Sequence, residues 1–136
     1  MRIGVTGGRD FKDRAMVERA FDKYVTQDDI IIEGEALGAD SLCRDVAYER
    51  GIQVESYPAD WSGPCGPECP PNHRRQNKSD AHHGESNDYC PAAGPRRNRR
   101  MLESGLDFLL AFPGGTGTQN MIDICKSAGV NGVRFL

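Results

Sequence analysis

The order of apolar patterns along the chain leaves few folds open. Residues 2–6 (RIGVT) form a short run with β-branched residues that stops at Gly7-Gly8, as a buried strand does where it opens into a phosphate-sized loop. From Asp13 onward Met16, Val17, Ala20, Phe21, Tyr24 and Val25 recur at the spacing of a helix with one buried face. Ile30-Ile31-Ile32 predicts a second buried strand, ended by GEALGAD. Leu42, Cys43, Val46 and Ala47 then mark the inner face of a second helix, with Asp40 or Ser41 as its expected N-cap. Gly51 closes that helix, and Ile52 to Tyr57 reads as strand three. Two consecutive strand-helix-strand units require parallel pairing with right-handed crossovers. After an interruption the alternation resumes with a helix over Pro95 to Glu103, a strand over Phe108 to Phe112, a helix over Gln119 to Ala128 and a last strand over Val133 to Leu136. The expectation is an α/β fold: a doubly wound, parallel, five-stranded sheet with an insertion between strands three and four.

The chain has 136 residues, 38% hydrophobic and 27% charged, enough for a single domain (1–136) with one modest core and too rich in apolar positions for disorder. No apolar run approaches the roughly 18 residues of a membrane span, and MRIGVTGG lacks the features of a signal peptide. A cytoplasmic protein with no membrane partner is expected. Its cysteines should then be reduced, so metal binding is tested before disulfides.

The interruption, residues 62–94, holds three of the five cysteines, all three histidines and five of the eight prolines, with almost no aliphatic residues. It cannot build a core of its own. It reads C65-GPE-C69-PPN-H73 and, after sixteen intervening residues, Cys90. Cys65, Cys69, His73 and Cys90 supply three thiolates and an imidazole, a tetrahedral zinc set with every position filled, hence a structural ion. The CxxxC spacing is looser than CxxC, but prolines after Cys69 and Cys90 stiffen the turns, and a coreless segment of this length is costly unless cross-linked. Free thiols in a loop and a redox disulfide are the other readings, and His82 or His83 could replace His73. Cys43 and Cys125 fall on apolar helix faces and are expected in the core.

In an open parallel sheet ligands sit beyond the carboxyl ends of the strands, where strand order reverses. Three loops leave those ends: TGGRDF (Thr6 to Phe11), EGEALGAD (Glu33 to Asp40) and PGGTGT (Pro113 to Thr118). Glycines admit a phosphate close to the backbone, and helix N-termini favour anions. Thr6, Gly7, Gly8, Arg9 and Asp10, Gly34 in the second loop, and Pro113, Gly114, Gly115, Thr116, Gly117 and Thr118 are the candidate ligand-binding residues. Neither of the two Gly-Gly loops, TGGRDF and PGGTGT, matches the Walker lysine pattern or the dinucleotide GxGxxG spacing, so no redox cofactor is expected.

TGGRDF, the EGxALGAD-type loop, YPADW at Tyr57 to Trp61, AGPRRNRRM at Ala93 to Met101 and FPGGTGT at Phe112 to Thr118 together resemble the YspA/cpYpsA-related family of the SLOG superfamily. That superfamily includes the DNA-uptake protein DprA and the Lonely Guy phosphoribohydrolases. The resemblance implies a Rossmann-like fold, an actinobacterial or actinophage source, and a site for a nucleotide or nucleotide-derived ligand. Arg97 and Asn98 correspond to the RN of the family's AGPxRN motif, which with Arg9 assigns them to phosphate. Guanidinium suits that task because its planar fork binds phosphate oxygens in pairs. Lonely Guy enzymes carry PGGxGTxxE, whereas this chain has Met121 where the glutamate stands, and a thioether cannot move a proton.

Three functional readings follow. The first is a binding domain that senses or sequesters a nucleotide-class ligand. The second is a hydrolase of the N-glycosidic bond of a nucleoside phosphate, which needs a carboxylate from elsewhere; Asp10, Glu33 and Glu35 are the candidates. The third is a DprA-like binder of single-stranded nucleic acid, suggested by Arg96, Arg97, Arg99 and Arg100. Residues 73–100 hold seven Lys or Arg against three Asp or Glu, so the remainder carries about −7 of the total −3. The acidic total and the lack of interleaved aromatics weigh against nucleic acid. A parallel sheet of this size can also pair with a second copy through its helices.

Overall fold

The computed structural model describes residues 1–76 and 88–134. Strand β1 (Arg2–Thr6) leads to helix α1 (Arg14–Tyr24), strand β2 (Ile30–Glu33), helix α2 (Ala39–Glu49) and strand β3 (Gln53–Ser56). Two short strands, β4 (Arg75–Gln76) and β5 (Asp88–Tyr89), follow inside the insertion, then α3 (Ala93–Glu103), β6 (Phe108–Ala111), α4 (Thr116–Ser127) and β7 (Asn131–Arg134). The main sheet has the order β3-β2-β1-β6-β7 with every pairing parallel. The chain steps one way from β1 to β3 and the other way from β6 to β7, so the direction reverses between β1 and β6.

That reversal fixes which face each helix covers. Right-handed crossovers in opposite directions place their helices on opposite faces. Ile3, Val5, Ile31, Leu110 and Phe112 point to the side of α1 and α2, where they meet Val17, Phe21, Cys43 and Val46. Ile32 and Leu109, one residue out of phase, point to α3 and α4, where they meet Met101, Met121 and Cys125. This period of two is what a strand buried on both faces requires. Phe21 is fully buried, and truncation to alanine would cost about 3–5 kcal/mol. Cys43 and Cys125 lie in these cores, where burial pushes the Cys125 thiol up to about 11.

Helix boundaries follow the local chemistry. Asp13 caps α1, its carboxylate accepting the N–H of Met16 at 3.0 Å. The expected cap of α2 is corrected: Gly38 occupies that position, and Asp40 is already inside the helix. Gly38 has φ +80°, and a Cβ there would run into the backbone of Gly8 and Arg9. Helix α4 starts at Thr116, three residues before the expected Gln119, so part of PGGTGT is its first turn. Helix α3 likewise starts at Ala93 rather than Pro95, and β7 starts at Asn131 rather than Val133.

Within the insertion β4 and β5 pair antiparallel, and Arg74 clamps Asp88 with Nε and Nη2 at 3.2 and 3.0 Å. The amide of Cys90 donates to the carbonyl of Trp61 at 3.0 Å, bringing the end of the insertion back to its beginning. Gly94 then lets α3 pass close to the Trp61 ring, since a Cβ there would lie 2.9 Å from Cη2. His82 and His83 lie outside the described residues, as do positions 135 and 136 of the expected last strand.

Candidate functional site

The two glycine loops are joined to each other. Gly8 donates its N–H to the carbonyl of Pro113 at 2.8 Å, and Gly8 in turn accepts from the amides of Phe11 and Ala39 at 3.2 and 3.1 Å. A Cβ on Gly7 would sit 2.5 Å from that of Ala39, and one on Gly114 would lie 2.5 Å from the Gly8 nitrogen and collide with the Thr118 hydroxyl. These glycines are required by packing. Gly115 and Gly117 are different: a Cβ at either would meet nothing within 4 Å. Among the described residues no neighbour accounts for glycine at those two places.

Beside them lies a cavity of about 450 Å³ at the point where strand order reverses. Thr6, Gly7, Gly8 and Arg9 border it from loop one, and Gly115, Thr116, Gly117 and Thr118 border it from the first turn of α4. Helix α3 contributes Gly94, Pro95, Arg97, Asn98 and Met101, and Trp61 and Pro91 come from the two ends of the insertion. One side is thus a helix N-terminus with open glycines, and the other carries an indole, a thioether and prolines. Of the remaining candidates, Gly34 is buried behind the guanidinium of Arg97, and Pro113 and Gly114 stand behind the cavity wall in the joint between the loops.

Arg97 is half-buried in the wall. Its Nη1 donates to the Gly34 carbonyl at 2.5 Å and its Nε to Asn98 Oδ1 at 2.9 Å, so loop two and α3 hold the fork in place. Nη2 makes no hydrogen bond to any described residue. Burial lowers the pKa of this guanidinium, with Asp40 and Glu33 acting in the opposite sense. Asn98 is buried and donates Nδ2 to the carbonyl of Gly117 at 3.2 Å and to Asn120 Oδ1 at 3.0 Å, fixing the first turn of α4. Arg9 is half-exposed at the rim.

The carboxylates are arranged differently from the expectation. Asp10 is almost fully exposed, its side chain 97% accessible, and Glu35 is exposed at φ +55°. Glu33 is fully buried; its Oε1 accepts from Glu35 N at 3.0 Å and from Arg44 at 3.5 Å, and its Oε2 has no partner among the described residues. None of the three borders the cavity, whereas Asp40 does. Asp40 Oδ2 accepts from the amides of Gly34 and Ala36 at 2.9 and 3.3 Å. Burial raises its pKa to about 6, with Glu33 adding to the rise and Arg97 and the two amides opposing it. Sequence reading took Asp40 only as a cap; an acid in the first turn of a helix that follows a glycine loop at the sheet's carboxyl edge was the available signal. Met121 is fully buried among Ile32, Met101 and Cys125, so the place of the Lonely Guy glutamate is a core position here.

A second cluster lies in the insertion. The ligand atoms of Cys65, Cys69, His73 and Cys90 are all within 4.8 Å of one another. Cys65 Sγ and Cys90 Sγ stand 3.0 and 3.4 Å from His73 Nε2, and Cys69 Sγ stands 3.7 Å from Cys90 Sγ. Zn–S bonds of about 2.3 Å in a tetrahedron put sulfurs about 3.8 Å apart, so the donor set fits that ion. All five cysteines are free thiols. Arg96 donates to the sulfurs of Cys69 and Cys90 at 3.4 and 3.5 Å, and Arg74 Nη1 lies 3.7 Å from Cys65 Sγ. Three thiolates around a divalent cation carry a net negative charge, which these guanidiniums offset. Burial alone would raise the Cys90 thiol, but the hydrogen bonds from Arg96, Ala92 N–H and the neighbouring thiols bring it to about 6.

A doubly wound parallel sheet with two joined glycine loops at its reversal point defines a Rossmann-like α/β protein whose cleft opens at the carboxyl edge. Residues 1–63 match the YspA, cpYpsA-related SLOG family, the family its motifs resemble. The motifs around Arg97 and Gly115 lie beyond the matched residues. The chain is 28% identical to the Gene 61 protein of Mycobacterium phage D29 over 144 aligned positions, covering 98% of this chain and 95% of that protein. The fold is shared with DNA processing protein A (DprA) from Streptococcus pneumoniae, with a TM-score of 0.51 and 18% identity over 97% of this chain. The chain spans 58% of the length of that DprA. Among the described residues no helix is long and apolar enough to cross a membrane.

Proposed function

We propose that residues 1–136 form a single domain that binds a nucleotide or nucleotide-derived ligand in the cleft between the glycine loops and α3. The observation that carries this reading is the pair Gly115 and Gly117, which no packing requires and which border a cavity of about 450 Å³ at a helix N-terminus. A phosphate takes the amides of the first turn of α4 and the hydroxyls of Thr116 and Thr118, with Arg97 Nη2 and Arg9 supplying charge. The base lies toward Trp61, Pro95 and Met101. The insertion 62–94 is a zinc knuckle on Cys65, Cys69, His73 and Cys90, which ties its ends to Trp61 and the start of α3. The role is sensing or sequestering, in the cytoplasm. The family match and the DprA-like fold support a nucleotide-related site, since the SLOG resemblance implies one.

The test is to incubate the protein with a mixed panel containing NAD, ADP-ribose and nucleoside monophosphates, ultrafilter it, and analyse both fractions by mass spectrometry. A compound retained unchanged supports the reading. Free base in the filtrate instead establishes the second reading, hydrolysis of the N-glycosidic bond, which Asp40 favours as a carboxylate bordering the cavity. Retention of nothing sinks both and favours a single-stranded nucleic acid on the exposed Arg99 and Arg100.

A further inference from the structure

We propose that Asp40 reads the sugar of the bound nucleotide, accepting hydrogen bonds from the ribose hydroxyls and making the cleft selective for ribonucleotides over 2′-deoxyribonucleotides. The inference rests on the nucleotide reading above and adds the sugar to it.

The position of Asp40 is set by backbone contacts. Ala39 donates to the Gly8 carbonyl at 3.1 Å and Gly38 packs on Gly8 and Arg9, so the first turn of α2 lies directly against loop one. The side chain is 94% buried and borders the cavity, with 6% of its surface accessible. Two amides of loop two, from Gly34 and Ala36, take Oδ2 and hold the carboxylate plane. Oδ1 makes no hydrogen bond among the described residues. Among the described residues Glu33 Oε2 is the one enclosed side-chain polar atom without a partner, so Oδ1 of Asp40 keeps accessible surface, and the space that Asp40 borders is the cavity.

What a ligand brings to that oxygen must be a donor. An ionised phosphate has none and is repelled by the carboxylate, which separates Asp40 from the phosphate at Gly115–Thr118. The group bonded directly to the phosphate of any nucleotide is the sugar, and its hydroxyls are donors. The base stands further from the phosphate, and the surfaces of Trp61, Pro95 and Met101 suit its faces better than a carboxylate does. Carboxylate recognition of ribose hydroxyls is an established solution in nucleotide-binding α/β folds, where the acid stands at the end of the second strand. Glu33 holds that place here, but it is fully buried and does not border the cavity. At neutral pH Asp40 is mostly ionised, since burial raises its pKa only to about 6.

The experiment titrates the full chain at pH 7.5 with AMP and dAMP, GMP and dGMP, CMP and dCMP, and inorganic phosphate, by calorimetry. The wild-type protein is expected to bind at least one ribonucleotide about tenfold or more tightly than its deoxy partner. Asp40→Asn keeps an acceptor for Gly34 and Ala36, and it should bring the ribonucleotide down to the deoxynucleotide level while leaving dAMP, dGMP, dCMP and phosphate unchanged. Equal wild-type affinity within every pair overturns the inference without any variant, and so does an Asp40→Asn protein that weakens both members of a pair equally. If phosphate or a deoxynucleotide binds without discrimination, only this inference falls. If nothing binds, the nucleotide reading falls with it.

Discussion

Arg96 and Arg97 are adjacent on α3 and act in different places: Arg96 hydrogen-bonds the sulfurs of Cys69 and Cys90, and Arg97 reaches the Gly34 carbonyl at the wall of the cleft. Successive residues on a helix point about 100° apart, so one rigid turn joins the thiol cluster to the cavity. Variants at the two positions should separate their effects. Arg96→Ala is expected to weaken zinc retention about tenfold, read by competition with a chromophoric chelator, because it removes the donor that orients and neutralises two thiolates. Arg97→Ala should leave zinc stoichiometry unchanged and weaken nucleotide binding about tenfold or more. Zinc loss from Arg97→Ala equal to that from Arg96→Ala would contradict the division.

Metal removal tests the joint itself. Cys90 lies three residues before α3, and its amide is held by Trp61, which borders the cavity. Chelation is therefore expected to weaken binding in the cleft as well as to loosen the insertion. The measurement is nucleotide affinity before and after dialysis against a chelator, with zinc added back. Unchanged affinity on removal would show that the cluster and the cleft are independent.

Gly114 and Gly115 are neighbours with opposite expectations. A Cβ on Gly114 collides with Thr118 and Gly8, so Gly114→Ala should destabilise the fold by about 1–3 kcal/mol in denaturant unfolding. Gly115 is the N-cap of α4 and has open space around it, and aspartate is a favoured cap. Gly115→Asp should keep or slightly raise stability while placing a carboxylate where the phosphate is proposed to bind, and binding should be lost. A Gly115→Asp protein that binds normally would remove this loop from the site.

The alternation of Ile3, Val5, Ile31 and Leu110 with their opposite-facing neighbours made the sheet and its helices legible, because burial on both faces leaves few other patterns. The four metal-type ligands were equally legible, since thiols and an imidazole in a coreless segment have few other uses. Asp40 was not. Its place depends on Gly38 taking a positive φ and filling the cap position, which moves Asp40 into the helix and beside the cavity. Glu33 failed in the other direction: the end of a strand marks a loop, but only packing decides that this side chain turns inward. Trp61 was visible as part of YPADW, yet its place in the cleft wall follows from Gly94 and the Cys90 amide, contacts made across the insertion.

Asp40 should also shape the pH dependence of stability. Its carboxyl is raised from 3.8 to about 6 in the folded chain, by burial first and by Glu33, with Arg97 and the amides of Gly34 and Ala36 opposing. Between those values the folded state binds more protons than the unfolded state, so the associated stability is fully present below about pH 4 and is lost as pH rises through 6. Glu33, raised by burial, acts in the same direction. Asp40→Asn cannot ionise and escapes that loss. Relative to wild type it should gain stability between pH 4 and pH 8, by at most about 3 kcal/mol for a shift of this size. Urea unfolding of both proteins across that range measures it, and parallel curves would mean that Asp40 is not buried as described.

Salt separates a cleft ligand from a nucleic acid. A strand held on Arg99 and Arg100 and the other exposed cations releases counterions, and its affinity falls with a log-log slope of about −0.7 per phosphate neutralised. A mononucleotide in the cleft meets the amides of α4 and the two guanidiniums of Arg97 and Arg9, so few counterions are displaced. Between 50 and 200 mM salt the mononucleotide affinity should therefore fall by less than about tenfold, while any affinity for an oligonucleotide should fall more steeply. Substituting Arg99 and Arg100 together by glutamine should flatten the oligonucleotide slope and leave the mononucleotide unaffected, because neither side chain borders the cavity. A mononucleotide affinity that falls as steeply as the oligonucleotide's would place its binding on the exposed face of α3 instead of in the cleft.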